Sequence, residues 1–347
     1  MIRLKTINDI SRLVGLCLVV CLIMVLIMNL YSLEKPSCNY RYSDISLPKG
    51  SLTQMIANPM PKKSENNEHF LCILIPFRDR FEELNEFVPT ISEFLKRQNI
   101  YHAIFVINQV DTLRFNRASL INVGFIKSVE VLKRLGSPNC DYVALHDVDL
   151  VPLNPNLSYG FPDKGPFHVA APGLHPKYDY PDFLGGILLI SRDHFNLANG
   201  MSNRYWGWGL EDDEFHRRLV EAGLQVQRPK NITTGKESTF KHFHSARIRK
   251  RDMTNCYNQY EVTRKRDRET GLDSLAFTTG RNYQNCADNV PYTLLNIVLQ
   301  CDRQKTPWCD PNCPPVSKPK NLERDSEVIV PIIKKKKKIR QKRSSSG

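Results

Sequence analysis

Four short stretches of the chain carry side chains that could do chemistry together. Asp147-Val148-Asp149 holds two carboxylates near each other, with an apolar residue between them turned the other way. Hard oxygen ligands of this kind suit Mg²⁺ or Mn²⁺ bridging a diphosphate. His242-Phe243-His244 repeats the spacing with imidazoles, and two His plus one carboxylate favour a transition metal such as Mn²⁺. Pro76-Phe77-Arg78-Asp79-Arg80 offers two guanidinium groups able to clamp phosphates or a base. Trp206-Gly207-Trp208-Gly209-Leu210-Glu211-Asp212-Asp213-Glu214 sets two of the chain's three tryptophans ahead of four successive carboxylates. Aromatic rings stack on sugar faces, and a carboxylate beside them can take a proton from a hydroxyl. Each stretch alone also reads as a turn, a solvated loop or the acidic first turn of a helix. The tryptophan/acid stretch is long and compositionally rare, and there the chemical reading prevails.

These residues need elements to hold them. Phe70–Phe77 (FLCILIPF) reads as a buried strand, residues 103–108 as a second, Tyr142–His146 as a third and residues 183–191 (FLGGILLIS) as a fourth. Leu84, Phe87, Val88, Ile91, Phe94 and Leu95 follow helical spacing, with Pro89 expected to kink or delay that helix. Residues 118–135 form a second helix by the same criterion, and Phe215, Leu219, Ala222 and Leu224 support one behind the acids. The alternation predicts an α/β domain with a mainly parallel sheet covered on both faces. Ligands of such sheets bind outside the carboxyl ends of strands, where Arg78, Asp147 and Asp149 fall. The glycines spell neither G-x-G-x-x-G nor a P-loop, so neither a dinucleotide nor ATP is indicated.

The 347 residues, 41% hydrophobic and 24% charged, exclude a wholly disordered chain and allow one large catalytic domain with appendages. Residues 13–31 are almost wholly apolar and approach the roughly 20 residues that cross a bilayer. Arg3, Lys5 and Arg12 precede them against Asp9 alone, which keeps residues 1–12 cytosolic and makes an uncleaved signal anchor. Residues 32–68 lack any apolar period and read as a stem, residues 69–316 as the catalytic body, and residues 317–347 as a basic disordered tail. That tail carries +8 and residues 1–31 carry +2 of the net +13, leaving +3 for stem and body. Basic charge therefore does not mark the body, and nucleic acid is not an expected partner. Eight of the ten cysteines lie outside the membrane run, which in an oxidising lumen reads as disulfides, with Cys301–Cys309 the first pair expected. Asn156-Leu-Ser and Asn231-Ile-Thr are N-glycosylation sequons.

Pro76 to Arg80, Phe115-Asn116-Arg117-Ala118, Asp147-Val148-Asp149, Phe183-Leu184-Gly185-Gly186 and the Trp206 to Glu214 stretch, in this order, resemble the β-1,4-galactosyltransferase family. The likeness runs from about residue 70 to about residue 310. His242-Phe243-His244 and the terminal Thr306-Pro307-Trp308-Cys309 resemble the branch acting on xylosylated protein. The resemblance implies a GT-A type fold, Rossmann-like, in a single-pass type II Golgi membrane protein with a lumenal catalytic domain. It implies Mn²⁺-dependent, inverting transfer of galactose from UDP-galactose to the 4-hydroxyl of xylose on proteoglycan core proteins. It further implies that Asp149, His242 and His244 bind manganese and that Asp212 is the catalytic base. Pro76, Phe77, Arg78, Asp79, Arg80, Phe115, Asn116, Arg117, Val148, Asp149, Tyr178, Trp208, His242, Phe243, His244 and Arg251 would contact the donor. Tyr178 and Trp208 would line the donor-sugar and acceptor pockets, and Tyr180, Leu210, Glu211, Asp212 and Asp213 would meet the acceptor. The lysine-rich tail is no part of the family pattern. Two alternatives stand beside this reading: a transferase acting on terminal N-acetylglucosamine, and a non-catalytic lumenal lectin-like protein.

Overall fold

The computed structural model describes residue 15 and residues 18–24, 69–243 and 249–316. Residues 32–68, residues 317–347 and His244 lie outside the described residues. Of the expected anchor, residue 15 and residues 18–24 are helical and the remainder lies outside the described residues. Among the described residues, no helix is long and apolar enough to cross a membrane.

Strand β1 (Phe70–Phe77) is apolar almost throughout and is buried on both sides. Leu71, Ile73, Ile75 and Phe77 face one layer, while Cys72 and Leu74 face the other. It pairs in parallel with β2 (Tyr101–Gln109) and β3 (Tyr142–His146). Helix α1 (Phe81–Arg97) lays Leu84, Phe87, Val88, Ile91 and Leu95 on the first face. Helix α2 (Arg117–Arg134) packs Leu120, Ile121 and Val123 on the second. Each such fully buried side chain contributes about 1.5–3 kcal/mol. Pro89 does not delay α1: the helix runs through it, and the carbonyl that loses its partner belongs to exposed Asn85.

The remaining strands are β4 (Leu150–Pro152), β5 (Phe167–His168), β6 (Ile187–Ser191), β7 (Phe240–His242), β8 (Phe277–Thr279), β9 (Tyr283–Ala287) and β10 (Val290–Leu299). The main sheet runs β5-β6-β3-β1-β2-β10-β8, with β9 also on β10, and β4 and β7 form a separate ribbon. The sheet is mixed: β3, β1, β2 and β10 are parallel, while β6, β5, β8 and β9 run antiparallel to their neighbours. The expected strand over residues 183–191 is correspondingly shorter, because Phe183 to Gly186 form a turn ahead of β6. Gly186 has φ +80, a left-handed conformation that a pleated strand does not accommodate. Disulfides join Cys72 to Cys140, Cys256 to Cys313 and, as expected, Cys301 to Cys309.

Candidate active site

The carboxyl end of β3 carries Asp147 and Asp149, and three neighbouring elements fix them. Arg117, first residue of α2, reaches across with Nε and Nη2 at 2.8 and 2.7 Å from Asp147 Oδ1. Asp147 also donates its backbone N–H to the Gly186 carbonyl at 2.9 Å, so the β6 turn holds the strand end. Beneath lies His146, fully buried, whose pKa falls to about 4 because burial disfavours the imidazolium. The neutral ring donates from Nδ1 to the Asp147 carbonyl (2.9 Å) and accepts the Tyr159 hydroxyl at Nε2 (3.0 Å). The β4–β7 ribbon sets Leu150 opposite His242, and the Phe243 N–H donates to the Asp149 carbonyl at 2.9 Å. Strand pairing thus brings Asp149 and His242 together from distant parts of the sequence. Burial and Asp147 raise the Asp149 pKa, opposed by His242 and Arg80. Burial lowers that of His242, opposed by Asp149.

The Pro76 to Arg80 stretch leaves β1 beside this corner. Arg80 Nη1 lies 3.5 Å from both Asp149 Oδ2 and Glu83 Oε1. Arg78 donates to the carbonyls of Gln109, Asp111 and Leu113 at 3.3, 3.2 and 2.8 Å, tying β1 to the loop after β2. Its guanidinium sits 5.8 Å from the Phe115 ring. Asp79 is exposed in a left-handed turn at φ 52, while Pro76, Phe77 and Val148 are buried. Asn116 is buried as the cap of α2, its Oδ1 accepting from the Ser119 N–H at 2.9 Å.

The second wall is the start of α4 (Glu211–Glu221), following α3 (Arg192–Leu197) in the helix order. Leu210 occupies the left-handed region at φ 69 and turns the chain into the helix. Asp212 is pressed against the β6 turn: a Cβ on Gly185 would lie 2.6 Å from Asp212 Oδ2. Burial, then the charges of Glu211 and Asp213, push the Asp212 carboxyl up to about 8, with Arg117 opposing. Glu211 is likewise raised, chiefly by burial, although Arg117 Nη1 stands 3.9 Å from its Oε1. Asp213 accepts the Tyr180 hydroxyl at 2.9 Å and is also raised by burial. Glu214, the last of the four acids, turns into the core instead. It meets Arg218 Nε at 2.9 Å and Arg266 Nη1 at 2.9 Å, and Arg218 Nη2 lies 3.6 Å from Asp267.

Aromatic rings line the gap between the two walls. Tyr178 and Trp208 lie 6.4 Å apart, with Tyr178 5.2 Å from Phe183. Trp208 keeps 44% of its surface exposed, leaving a ring face for a ligand. The Arg251 guanidinium lies 4.6 Å from the Trp208 ring and donates to the Tyr178 hydroxyl. His175 packs 5.0 Å from Phe183 and 6.0 Å from His242, and burial lowers its pKa to about 4. Its Nδ1 accepts the backbone N–H groups of Lys177 (3.0 Å) and Tyr178 (2.9 Å), which sets the Tyr178 loop.

Arg114, His168, His175 and the steric role of Gly185 were not singled out by their spacing. Arg114 is the clearest case, because nothing in the sequence sets it apart from its neighbours Phe115, Asn116 and Arg117. It is buried against Gly207, and its fork donates to Asp252 Oδ2 (2.6 Å), Thr254 O (2.7 Å), Gln259 Oε1 (2.9 Å) and Trp308 O (2.9 Å). The Trp206 to Trp208 loop is thereby tied to the disulfide-closed turn at Pro307–Cys309. His168, also fully buried, reaches the Gly185 carbonyl at 2.8 Å from Nε2.

A carboxylate in the turn ahead of β4 beside an imidazole on β7, basic groups at strand ends, a half-exposed tryptophan and an acid of raised pKa fit one class of chemistry. They suit binding a metal–diphosphate and a sugar, and moving a proton from a hydroxyl. The mixed sheet and this site define a GT-A-like glycosyltransferase.

Comparison with known proteins narrows the class. Residues 46–161 match the family model described as the N-terminal region of glycosyl transferase group 7, and residues 165–243 match that described as the N-terminal domain of galactosyltransferase. The chain is 56% identical over 253 residues to β-1,4-galactosyltransferase 7 of Drosophila melanogaster, covering 73% of this chain and 76% of that protein. It is 43% identical over 270 residues to xylosylprotein 4-β-galactosyltransferase of Caenorhabditis elegans, covering 77% and 90%. A solved structure of a mutant of the Drosophila enzyme, in complex with manganese, UDP-Gal and xylobiose, superposes with a TM-score of 0.67 at 57% identity, covering 70% of this chain and all of that one. The chain belongs to the β-1,4-galactosyltransferase family.

Proposed function

We propose that this protein transfers galactose from UDP-galactose to the 4-hydroxyl of xylose on proteoglycan core proteins, with Mn²⁺ and with inversion. The observation that carries the reading is Asp212, an acid of raised proton affinity held against Gly185 and close enough to Tyr178 and Tyr180 for its charge to act on both. The relatives support the substrates: one bears xylosylprotein in its name, and one was solved with manganese, UDP-Gal and xylobiose.

Asp149 and His242 fit a manganese site, since a carboxylate in the turn ahead of β4 and an imidazole on the paired strand β7 are the donor types that this ion accepts. His244, expected as a further ligand, lies outside the described residues. When bound, the ion neutralises charge that builds on the departing diphosphate. Arg80 and Arg251 add positive charge beside the same corner. Trp208 and Tyr178 orient the sugars by stacking, which converts an encounter into a near-attack geometry. Asp212 accepts the proton of the xylose 4-hydroxyl as that oxygen attacks the anomeric carbon from the face opposite UDP.

Residues 13–31 anchor the protein in the Golgi membrane with the catalytic domain in the lumen. The three disulfides among the described residues fit that oxidising compartment. Protease protection of the catalytic domain in intact microsomes is the expected outcome, and digestion without detergent would refute this topology.

The acceptor assay tests the reaction. UDP-galactose with Mn²⁺ is offered alongside a β-xyloside or an N-acetylglucosaminide. Transfer to the xyloside is expected, and transfer confined to the N-acetylglucosaminide would refute the reading.

A further inference from the structure

An acceptor that is a protein needs room for its polypeptide next to the sugar. A groove of about 510 Å³ lies beside the acceptor residues, lined by Pro181, Asp182, His216, Val220, Leu224 and Arg228 among others. It is continuous with them by chain and by helix geometry. Pro181 and Asp182 directly follow Tyr180, whose hydroxyl meets Asp213. Asp213, His216 and Val220 lie three and seven residues along α4, which places them on one face of the helix. The groove is a built feature. Arg228 ties two parts of its lining together by donating to the Pro181 carbonyl, and its Nε is buried with no hydrogen-bond partner among the described residues. His216 Nδ1 stands 3.8 Å from Asp182 Oδ1 across its head. Val220 leaves 60% of its surface exposed along the groove, an apolar contact that no other described residue covers.

We infer that this groove is a polypeptide subsite, which seats the segment of acceptor protein flanking the xylosylated residue. The segment lies along α4 with apolar contact at Val220 and Leu224. The inference rests on the xylosylprotein reading and extends it from the sugar to the chain that carries it. A groove of this kind lets the enzyme distinguish a xylosylated protein from free xylosides through contacts remote from the reacting atoms.

The test compares two acceptors, a small aryl β-xyloside and a xylosylated peptide, with wild-type enzyme and two variants. Val220→Asp places a charge in the groove at an exposed helix position. Leu197→Asp does the same at a residue 62% exposed and outside the groove. For Val220→Asp, kcat/KM for the peptide should fall about tenfold, mainly through KM, the size expected of one well-placed apolar contact. Its activity on the aryl xyloside should stay at the wild-type value, and Leu197→Asp should alter neither. Equal loss on both acceptors, or no loss on either, would overturn the subsite. So would dissociation of an oligomer by Val220→Asp on size exclusion, which would assign the groove to a second copy of the chain. Absence of transfer to either xylosylated acceptor by the wild-type enzyme would instead strike the underlying reaction.

Discussion

Gly185 and Asp212 touch: a side chain on the first would occupy space that the carboxylate of the second now fills, at 2.6 Å from Oδ2. The β6 turn therefore sets the depth of the proposed base as well as the end of the sheet. Gly185→Ala should preserve the fold and lower kcat about a hundredfold, the cost of a displacement near 1 Å at a reacting group. Steady-state kinetics beside far-ultraviolet circular dichroism would check this; an unaltered kcat would mean that Asp212 tolerates the shift.

The acid cluster makes a pH prediction with a definite sign. Asp212 must be ionised to accept a proton, and its carboxyl is pushed up to about 8 by burial and by Glu211 and Asp213. The kcat/KM profile, which reports the free enzyme, should rise with pH on a limb well above the ordinary carboxylate range. Glu211→Gln removes one of the neighbouring negative charges, so the Asp212 carboxylate becomes easier to form. The limb should then move to lower pH. A shift to higher pH, or none, would remove Glu211 from that role.

Arg114 offers a prediction about positioning. Its guanidinium lies against Gly207 and holds Asp252, Thr254, Gln259 and Trp308 together. Arg114→Ala should cost on the order of 3 kcal/mol of stability, because buried partners lose a charged donor. It should also raise the acceptor KM through Trp208, whose backbone N–H donates to the Asp252 carbonyl at 2.9 Å. Thermal unfolding and acceptor titration measure the two effects. Arg114→Lys should restore little, since an ammonium cannot reproduce the fork.

The disulfides should rank by the loops they close. Cys72–Cys140 spans 68 residues and Cys301–Cys309 spans 8. On the chain-entropy model these contribute about 4.4 and 2.5 kcal/mol. Paired Cys→Ser replacement followed by denaturant unfolding should show the larger loss for Cys72 and Cys140. The reverse order would mean that native-state packing outweighs chain entropy.

The parts legible in the sequence are those written in local pattern. β1 follows from the FLCILIPF run, α2 from its helical spacing, and Asp147 and Asp149 from their place after β3. Long-range pairing was not legible. The antiparallel turn of β6 depends on a left-handed Gly186, and α1 absorbs Pro89 because the carbonyl it strands is exposed. Asp149 meets His242 only through the β4–β7 ribbon. Arg114 joins segments far apart in the chain, so no spacing signals it. The Glu211 to Glu214 run looked uniform, yet helical geometry sends Glu214 to Arg218 in the core and leaves Asp212 at Gly185.

The most direct test of the account is Asp212→Asn, followed by galactose transfer to a β-xyloside and by titration of UDP with Mn²⁺. The amide fills the same space beside Gly185 but cannot take the hydroxyl proton. Transfer should be abolished while nucleotide binding in the presence of Mn²⁺ stays within a few-fold of wild type. Full transfer by this variant would contradict the assignment of Asp212 as the base on which the proposed reaction depends.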